Sequence, residues 1–383
     1  MSVTAPGGFR AAAATAGLKP SGNSDVALVV NDGPRFDGAA VFTANRCVAN
    51  PVLWSRQVVA DGVVRAVVLN SGGANCFTGP DGFAVTHGSA ERVAGALGIG
   101  AGDVVVCSTG LIGVELDLGR LEAGIDAAVP GLSTDGGSAA AHAIMTTDTV
   151  AKEVDLDAGR FRVGGMAKGA GMLAPALATM LVVLTTDAVV DPADARVAIA
   201  AACATTLDRL DSDGCMSTND TVVLMASGAS GTQPPVSELT RSLTSALADL
   251  GGQLLRDAEG AAHDIAITVG SAASESDAVQ VGRAIARNAL VKCAIFGGDP
   301  NWGRIIAAVG TTTATFDPGC LDVSVNGVRV CHASVPDQPR AGVDLSGRAV
   351  EILVDLRAGE AAATIWTNDL TYDYVRENAE YST

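Results

Sequence analysis

Three observations predict an α/β fold. Short β-branched runs that stop at Asn, Asp or Gly recur along the chain, at residues 26–31, 39–45 and 63–70 among others. Between such runs lie segments with apolar residues at three- and four-residue spacing, for example Ala278, Val281, Ile285 and Ala289. Asn326-Gly327, set between apolar runs at 321–325 and 328–332, is a strong hairpin signal. Alternation of the two periods predicts sheets that bury their faces against helices.

The elements follow in chain order. Residues 70–75, Asn-Ser-Gly-Gly-Ala-Asn, form a turn of small polar residues after the strand 63–70. A helix over 89–97 and a strand over 103–107 come next, and the strand runs into Ser108-Thr109-Gly110. Such a turn is either plain turn chemistry or a place where unpaired N–H groups point one way, as an oxyanion hole requires. Helical spacing covers 118–128 and 137–145, and strands are expected at 150–156 and 161–163. Asp191-Pro192 is a helix start, with the helix running to about Leu207. A strand at 221–226 precedes Pro234-Pro235 and a long amphipathic helix over 237–258. A strand at 263–269 leads to a helix capped by Ser274 and Asp277. Residues 296–304 are dense in turn formers, and strands at 350–356 and 361–367 precede a short helix over 370–378. No repeat, linker or low-complexity segment marks a domain boundary.

Composition narrows the function. A chain of 383 residues with 48% hydrophobic and 17% charged residues can bury a sizeable core. Its formal charge of −17 argues against nucleic acid and anionic membrane as partners, since both need a cationic surface. Cys47, Cys76, Cys107, Cys203, Cys215, Cys293, Cys320 and Cys331 lack metal-ribbon spacing and read as free thiols. The alanine patch at 11–14 lacks the apolar length of an export leader, so a soluble, cytoplasmic protein is expected. The four histidines, His87, His142, His263 and His332, are isolated, which leaves metal and Ser-His-Asp chemistry unsupported.

The most unusual stretch is 164–187. Four glycines crowd residues 164–171 around Lys168, and Thr179 stands alone before the apolar run 180–184. Thr179 has two readings, a β-branched strand residue or a nucleophile. If the bond before it is cut, the freed α-amine, with a reference pKa of about 7.7–8.0, can take the hydroxyl proton without a histidine. A cation such as Lys168 would depress that amine's pKa further. Gly169-x-Gly171-x-x-Ala174, with Asp187 downstream, imitates a dinucleotide fingerprint, but Pro175 prevents a helix from starting there. Asp211-Ser212-Asp213-Gly214 is too short for a calcium loop.

Lys168-Gly169-Ala170-Gly171-Met172 followed by Leu177-Ala178-Thr179-Met180-Leu181 resembles the self-cleavage segment of the ornithine acetyltransferase family of arginine biosynthesis. Further similar motifs are residues 70–75, Ser108-Thr109-Gly110, Met145-Thr146-Thr147-Asp148, Asp213-Gly214, residues 217–221, Asp257-Ala258-Glu259-Gly260, residues 299–304 and the tail, so the resemblance spans nearly the whole chain. It implies stacked mixed β-sheets flanked by helices, an αββα-like sandwich, with a smaller α/β domain. It implies cleavage between Ala178 and Thr179, giving an α chain of residues 1–178 and a β chain of residues 179–383, intertwined and assembled as an α2β2 heterotetramer.

The implied activity is transfer of acetyl from N2-acetylornithine to glutamate by a ping-pong mechanism, with Thr179 as nucleophile and Thr109 and Gly110 as oxyanion hole. Thr146, Lys168, Thr179, Glu259, Asn378 and Thr383 would line the substrate pocket. Thr383 stands where the family carries serine, which keeps the hydroxyl, and Asn301 and Arg304 are held open as further site residues. No metal or cofactor is implied, and acetyl-CoA as a second acetyl donor is left open. The rival reading within the enzymes is a self-processing amidohydrolase or aminopeptidase that gives the acyl group to water. The rival outside them is an α/β protein that binds a nucleotide or is purely structural.

Overall fold

The computed structural model describes residues 2–174 and 180–380. The chain opens with β1 (Phe9–Ala14), β2 (Val26–Asn31), β3 (Asp37–Phe42), α1 (Asn50–Val58), β4 (Ala66–Asn70), α2 (Gly79–Leu97), β5 (Val104–Ser108), α3 (Leu118–Ala128) and α4 (Gly137–Ala143). It continues through β6 (Lys152–Asp157), β7 (Arg162–Lys168), β8 (Leu181–Thr186), α5 (Pro192–Thr205), β9 (Thr221–Ala226) and α6 (Val236–Arg256). Last come β10 (Asp264–Ala272), α7 (Glu275–Ala286), α8 (Ala289–Phe296), α9 (Trp302–Val309), β11 (Asp322–Val325), β12 (Val328–His332), β13 (Val335–Pro336), β14 (Ala349–Asp355), β15 (Ala361–Asn368) and α10 (Tyr372–Glu380).

Two of the sheets are stacked. One has the order β1-β2-β4-β5 and the other β3-β9-β8-β7-β6. Their facing side chains, among them Ala27, Val29, Val67, Leu69 and Val105 on one side and Met166, Leu181, Val183, Val223 and Met225 on the other, form one buried cluster. The outer face of the first sheet packs Val68 and Val106 against Val93 of α2 and Leu121 and Ile125 of α3. The outer face of the second packs Val182, Leu184 and Val222 against Ile199 of α5 and Leu243, Leu247 and Leu250 of α6. The layers are therefore helix, sheet, sheet, helix, as expected of an αββα sandwich. Strands buried on both faces read as continuous apolar runs, which is why 26–31, 66–70, 104–108, 181–186 and 221–226 show no alternation.

The third sheet, β13-β12-β11-β14-β10-β15, is covered on one side by α7, α8 and α9 and forms the smaller α/β part. Its strands alternate buried and exposed residues, since one face is open. Val325 pairs with Val328 across Asn326-Gly327, so the hairpin expected there is formed.

Differences from the sequence reading have local causes. β1 is made largely of alanine, a poor strand former, and is held by its ladder to β2 and by burial. α1 begins at Asn50-Pro51 and α2 at Gly79-Pro80; both pairs look like turns, yet proline suits a first helical turn. In the turn-rich segment 296–304, the Asn301 side chain accepts from the Arg304 N–H and caps α9. Among the described residues no helix is long and apolar enough to cross a membrane.

The inter-sheet cluster lies directly behind the strand ends that carry Thr109 and Lys168. Leu69 is fully buried within it. Leu69→Ala is expected to lower the unfolding free energy by about 2–5 kcal/mol, read as an earlier denaturant midpoint with an unchanged slope.

Candidate active site

The ends of neighbouring strands bring the polar motifs together. Thr109 follows β5, and its N–H donates to the Asn70 carbonyl at 3.0 Å, while Asn70 Nδ2 donates to Ser108 Oγ at 2.6 Å. Asn219, just before β9, donates from Nδ2 to the carbonyls of Ala74 at 2.6 Å and Ser108 at 2.9 Å. These bonds fix the 70–75 turn against the turn after β5. Gly110 has φ +132°, and a Cβ there would lie 2.8 Å from Cα and N of Gly73, so only glycine fits.

Lys168 ends β7, is 1% exposed and donates from Nζ to Thr109 Oγ1 at 3.2 Å. Strand periodicity explains the meeting. Lys168 lies two residues beyond Met166, and Thr109 two beyond Cys107, and both Met166 and Cys107 face the inter-sheet core. The polar pair thus caps that core at its edge. Burial pushes the Lys168 ammonium below the usual lysine range, the Asp148 carboxylate opposes this, and Lys152 adds to it. Burial also pushes the Asp148 carboxyl up, but Lys168, Lys152 and the Gly169 N–H together hold it below the usual carboxylate range.

Thr146 is oriented through its N–H, which donates to Asp148 Oδ2 at 3.0 Å. Glu259 follows the C-terminal end of α6, and its N–H donates to the Ala170 carbonyl at 3.0 Å. A Cβ on Gly171 would lie 2.6 Å from each carboxylate oxygen of Glu259, so the glycine lets backbone and carboxylate touch. Asn378 sits on α10, which Thr371 ties down by donating to the Gly260 carbonyl at 2.5 Å. Thr109, Gly110, Thr146, Lys168, Glu259 and Asn378 line one cavity of about 80 Å³, completed by Thr147, Gly171 and Met172. A groove of about 430 Å³ beside α5, α6 and β15 is larger, but its Leu210, Leu247, Leu255 and Trp366 wall includes none of these groups.

The segment between Leu173 and Met180 is pinned at both ends. The Leu173 N–H donates to Asp213 Oδ2 at 3.1 Å, and its carbonyl accepts from the Ser212 N–H at 2.5 Å. The Met180 N–H donates to Asp220 Oδ1 at 3.0 Å. Burial raises both carboxyls above the usual range. Ala178, Thr179 and Thr383, named from the sequence as the cleavage pair, the nucleophile and the final pocket residue, lie outside the described residues.

Other motifs have structural roles. No helix begins in 169–174, and Asp187 accepts from the N–H groups of Gly7 and Arg162, so the dinucleotide-like spacing is coincidental. Asn301 caps α9 and Arg304 donates to the Leu290 carbonyl, away from the cavity. None of the four histidines lines it. Among the described residues no group of three or more His, Cys, Asp or Glu side chains could hold a metal ion. The roles of Asp148, Asp213, Asp220 and Asn219 were missed from sequence alone, although all four sit inside the quoted motifs. Asp and Asn beside Gly or Thr read as turn chemistry, and only the fold shows which backbone each one holds.

Comparison with known proteins gives one answer. The model of the ArgJ family matches residues 10–383. The chain is 60% identical over 383 residues to the arginine biosynthesis bifunctional protein ArgJ of Thermobifida fusca, with all of both chains covered. It is 58% identical over 382 residues to the protein of that name from Streptomyces coelicolor, again with both covered fully. Among solved structures it is 54% identical to ornithine acetyltransferase complexed with ornithine from Mycobacterium tuberculosis, with a TM-score of 0.45, 47% of this chain and 96% of that one being covered.

The turn that pins Leu173 carries a pH signature. Burial pushes the Asp211 carboxyl up to about 6, against the pull of Arg287, whose Nε donates to it at 2.8 Å. An unfolded aspartate titrates near 3.9, so between about pH 4 and about pH 6 the folded state binds more protons, and stability falls as pH rises through that window. Asp211→Asn is expected to flatten this slope, as read from denaturant midpoints across the window.

Proposed function

The chain belongs to the ArgJ family of bifunctional arginine-biosynthesis acetyltransferases, and on that premise we propose that it moves an acetyl group from N2-acetylornithine to glutamate through an ester on Thr179. The observation that carries this reading is the convergence of Thr109, Gly110, Thr146, Lys168, Glu259 and Asn378 on one cavity, beside a segment pinned at Leu173 and Met180.

The enzyme first processes itself. Thr179 Oγ attacks the Ala178 carbonyl, the acyl group shifts from nitrogen to oxygen, and water hydrolyses the ester. The products are the Ala178 carboxylate and a free Thr179 amine, on an α chain of residues 1–178 and a β chain of residues 179–383. In turnover that amine takes the Oγ proton while Oγ adds to the acetyl carbonyl of N2-acetylornithine. The oxyanion is held by Thr109 and the Gly110 N–H. Collapse breaks the amide bond, the proton passes to the departing amine, and ornithine leaves. The glutamate amine then attacks the ester, releasing N-acetylglutamate and restoring Thr179 Oγ–H.

Glu259 supplies the negative charge for a substrate ammonium, and Thr146, Asn378 and Thr383 complete the pocket. The buried charge of Lys168 depresses the pKa of the Thr179 amine and so favours the neutral base. Acetyl-CoA serves as the second donor, its thioester being attacked in the same way with coenzyme A leaving. No cofactor is required. The two chains assemble as an α2β2 heterotetramer.

Denaturing electrophoresis tests the processing: wild type is expected to give two bands and Thr179→Ala one. A single full-length band from active wild type would sink the proposal. Incubation with N2-acetylornithine and glutamate tests the transfer. Ornithine release that does not depend on glutamate would instead favour the amidohydrolase, and coenzyme A release from acetyl-CoA with glutamate tests the second donor. A second variant probes the ammonium site. Gly171→Ala places a methyl group against the Glu259 carboxylate, and a displacement near 1 Å can cost ~10²-fold. The KM for N2-acetylornithine is expected to rise by about that order.

A further inference from the structure

Lys152 is not among the residues that line the candidate site, and its side chain is wholly buried. Its Nζ donates to Asp148 Oδ1 at 2.6 Å, to Asp257 Oδ2 at 2.5 Å and to the Val150 carbonyl at 3.3 Å, which uses all three ammonium hydrogens. What the two carboxylates do with their remaining capacity is informative. Asp148 accepts from the Gly169 N–H at 2.6 Å and from the Thr146 N–H at 3.0 Å. Asp257 accepts from the Thr149 N–H at 3.0 Å and from the Thr149 hydroxyl.

Each bond ends on a segment that walls the candidate active site. Thr146 is a wall residue, Gly169 follows Lys168, and Asp257 lies two residues before Glu259. From the other side, Lys19 Nζ donates to the carbonyls of Ala143 at 3.3 Å and Met145 at 2.6 Å, immediately before Thr146.

We propose that Lys152, Asp148 and Asp257 form a positioning brace that holds the Thr146, Lys168 and Glu259 walls in register for the acyl-transfer pocket. The inference rests on the acetyltransferase reading above. A buried ion pair is a poor source of net stability, because desolvation offsets most of its Coulombic gain. Here the carboxylates serve the backbone of the 146–149 loop and of the β7 terminus rather than any hydrophobic layer. The brace acts through the residues it holds, and neither Lys152 nor Asp257 touches the cavity.

The test is steady-state kinetics on the full, processed chain carrying Asp257→Asn, with N2-acetylornithine and glutamate as substrates. The amide keeps the shape, removes the charge and turns one acceptor into a donor facing Lys152 or Thr149. Glu259 binds the ammonium alike in ground and transition states, so its displacement should raise KM more than it lowers kcat. A KM increase of about tenfold to ~10²-fold is expected, with recovery in Asp257→Glu.

Thr149→Val, at an exposed position, removes one link without stranding a charge; the same KM rise, smaller in size, is expected there. A folded, processed Asp257→Asn whose KM and kcat match wild type, or whose only change is a lower melting temperature, overturns the brace. Equal loss in Asp257→Asn and Asp257→Glu would do the same. If wild type itself transfers no acetyl group, the proposed function fails and the brace as a device for that reaction fails with it; active wild type beside an unchanged variant removes the brace alone.

Discussion

Two sheets packed face to face exclude water, so a polar group can enter the space between them only with its hydrogen-bond partners already in place. The arrangement of this molecule follows from that constraint. The middle of the inter-sheet layer is apolar, with Met166, Leu181, Val183 and Val223 meeting Leu69 and Val105. Thr109 and Lys168 meet at one edge of the layer, where they continue the inward faces of β5 and β7. A lysine at such an edge is desolvated yet still adjoins a small cavity. Asp148 keeps that position tolerable by meeting the charge without using up the ammonium's donors.

The same economy governs the loops around the edge. Several of the side chains that hold the loops around the cavity are aspartates or asparagines bonded to main chain: Asp148 to Thr146 and Gly169, Asp213 to Leu173, Asp220 to Met180, and Asn219 to Ala74 and Ser108. Short side chains with few torsions lose little entropy when fixed. They turn loops, which would otherwise be the mobile part of the molecule, into extensions of the sheets.

Legibility in the sequence divided along the same lines. Doubly buried strands such as 221–226 could be read, because β-branched apolar runs have few other uses. The helices α1 and α2 were missed or shortened, since Asn-Pro and Gly-Pro signal turns locally and only packing against β5 shows otherwise. The glycine-rich stretch with Lys168 and Thr179 stood out as chemistry, and the family resemblance supplied the names of its companions. Of these, Thr109, Gly110, Thr146, Glu259 and Asn378 fall among the described residues and lie with Lys168 on one cavity. Lys152 left no signal. Its carboxylate partners stand 4 and 105 positions away, and a lysine opening a strand looks like a solvent-facing residue until the fold closes over it.

β7 and β8 are antiparallel neighbours in register from Val163 opposite Thr186 to Lys168 opposite Leu181, and the segment containing residues 178 and 179 joins them. With that joint open, as proposed, the ladder no longer closes a hairpin. It becomes a seam between two polypeptides in the middle of a five-stranded sheet. Folding would be unimolecular before processing, whereas refolding afterwards would be an association whose yield depends on the concentration of both halves. The mature protein would then be far easier to keep than to remake: its persistence would be set by the rate at which the seam opens, because halves that separate on dilution have no tether to bring them back.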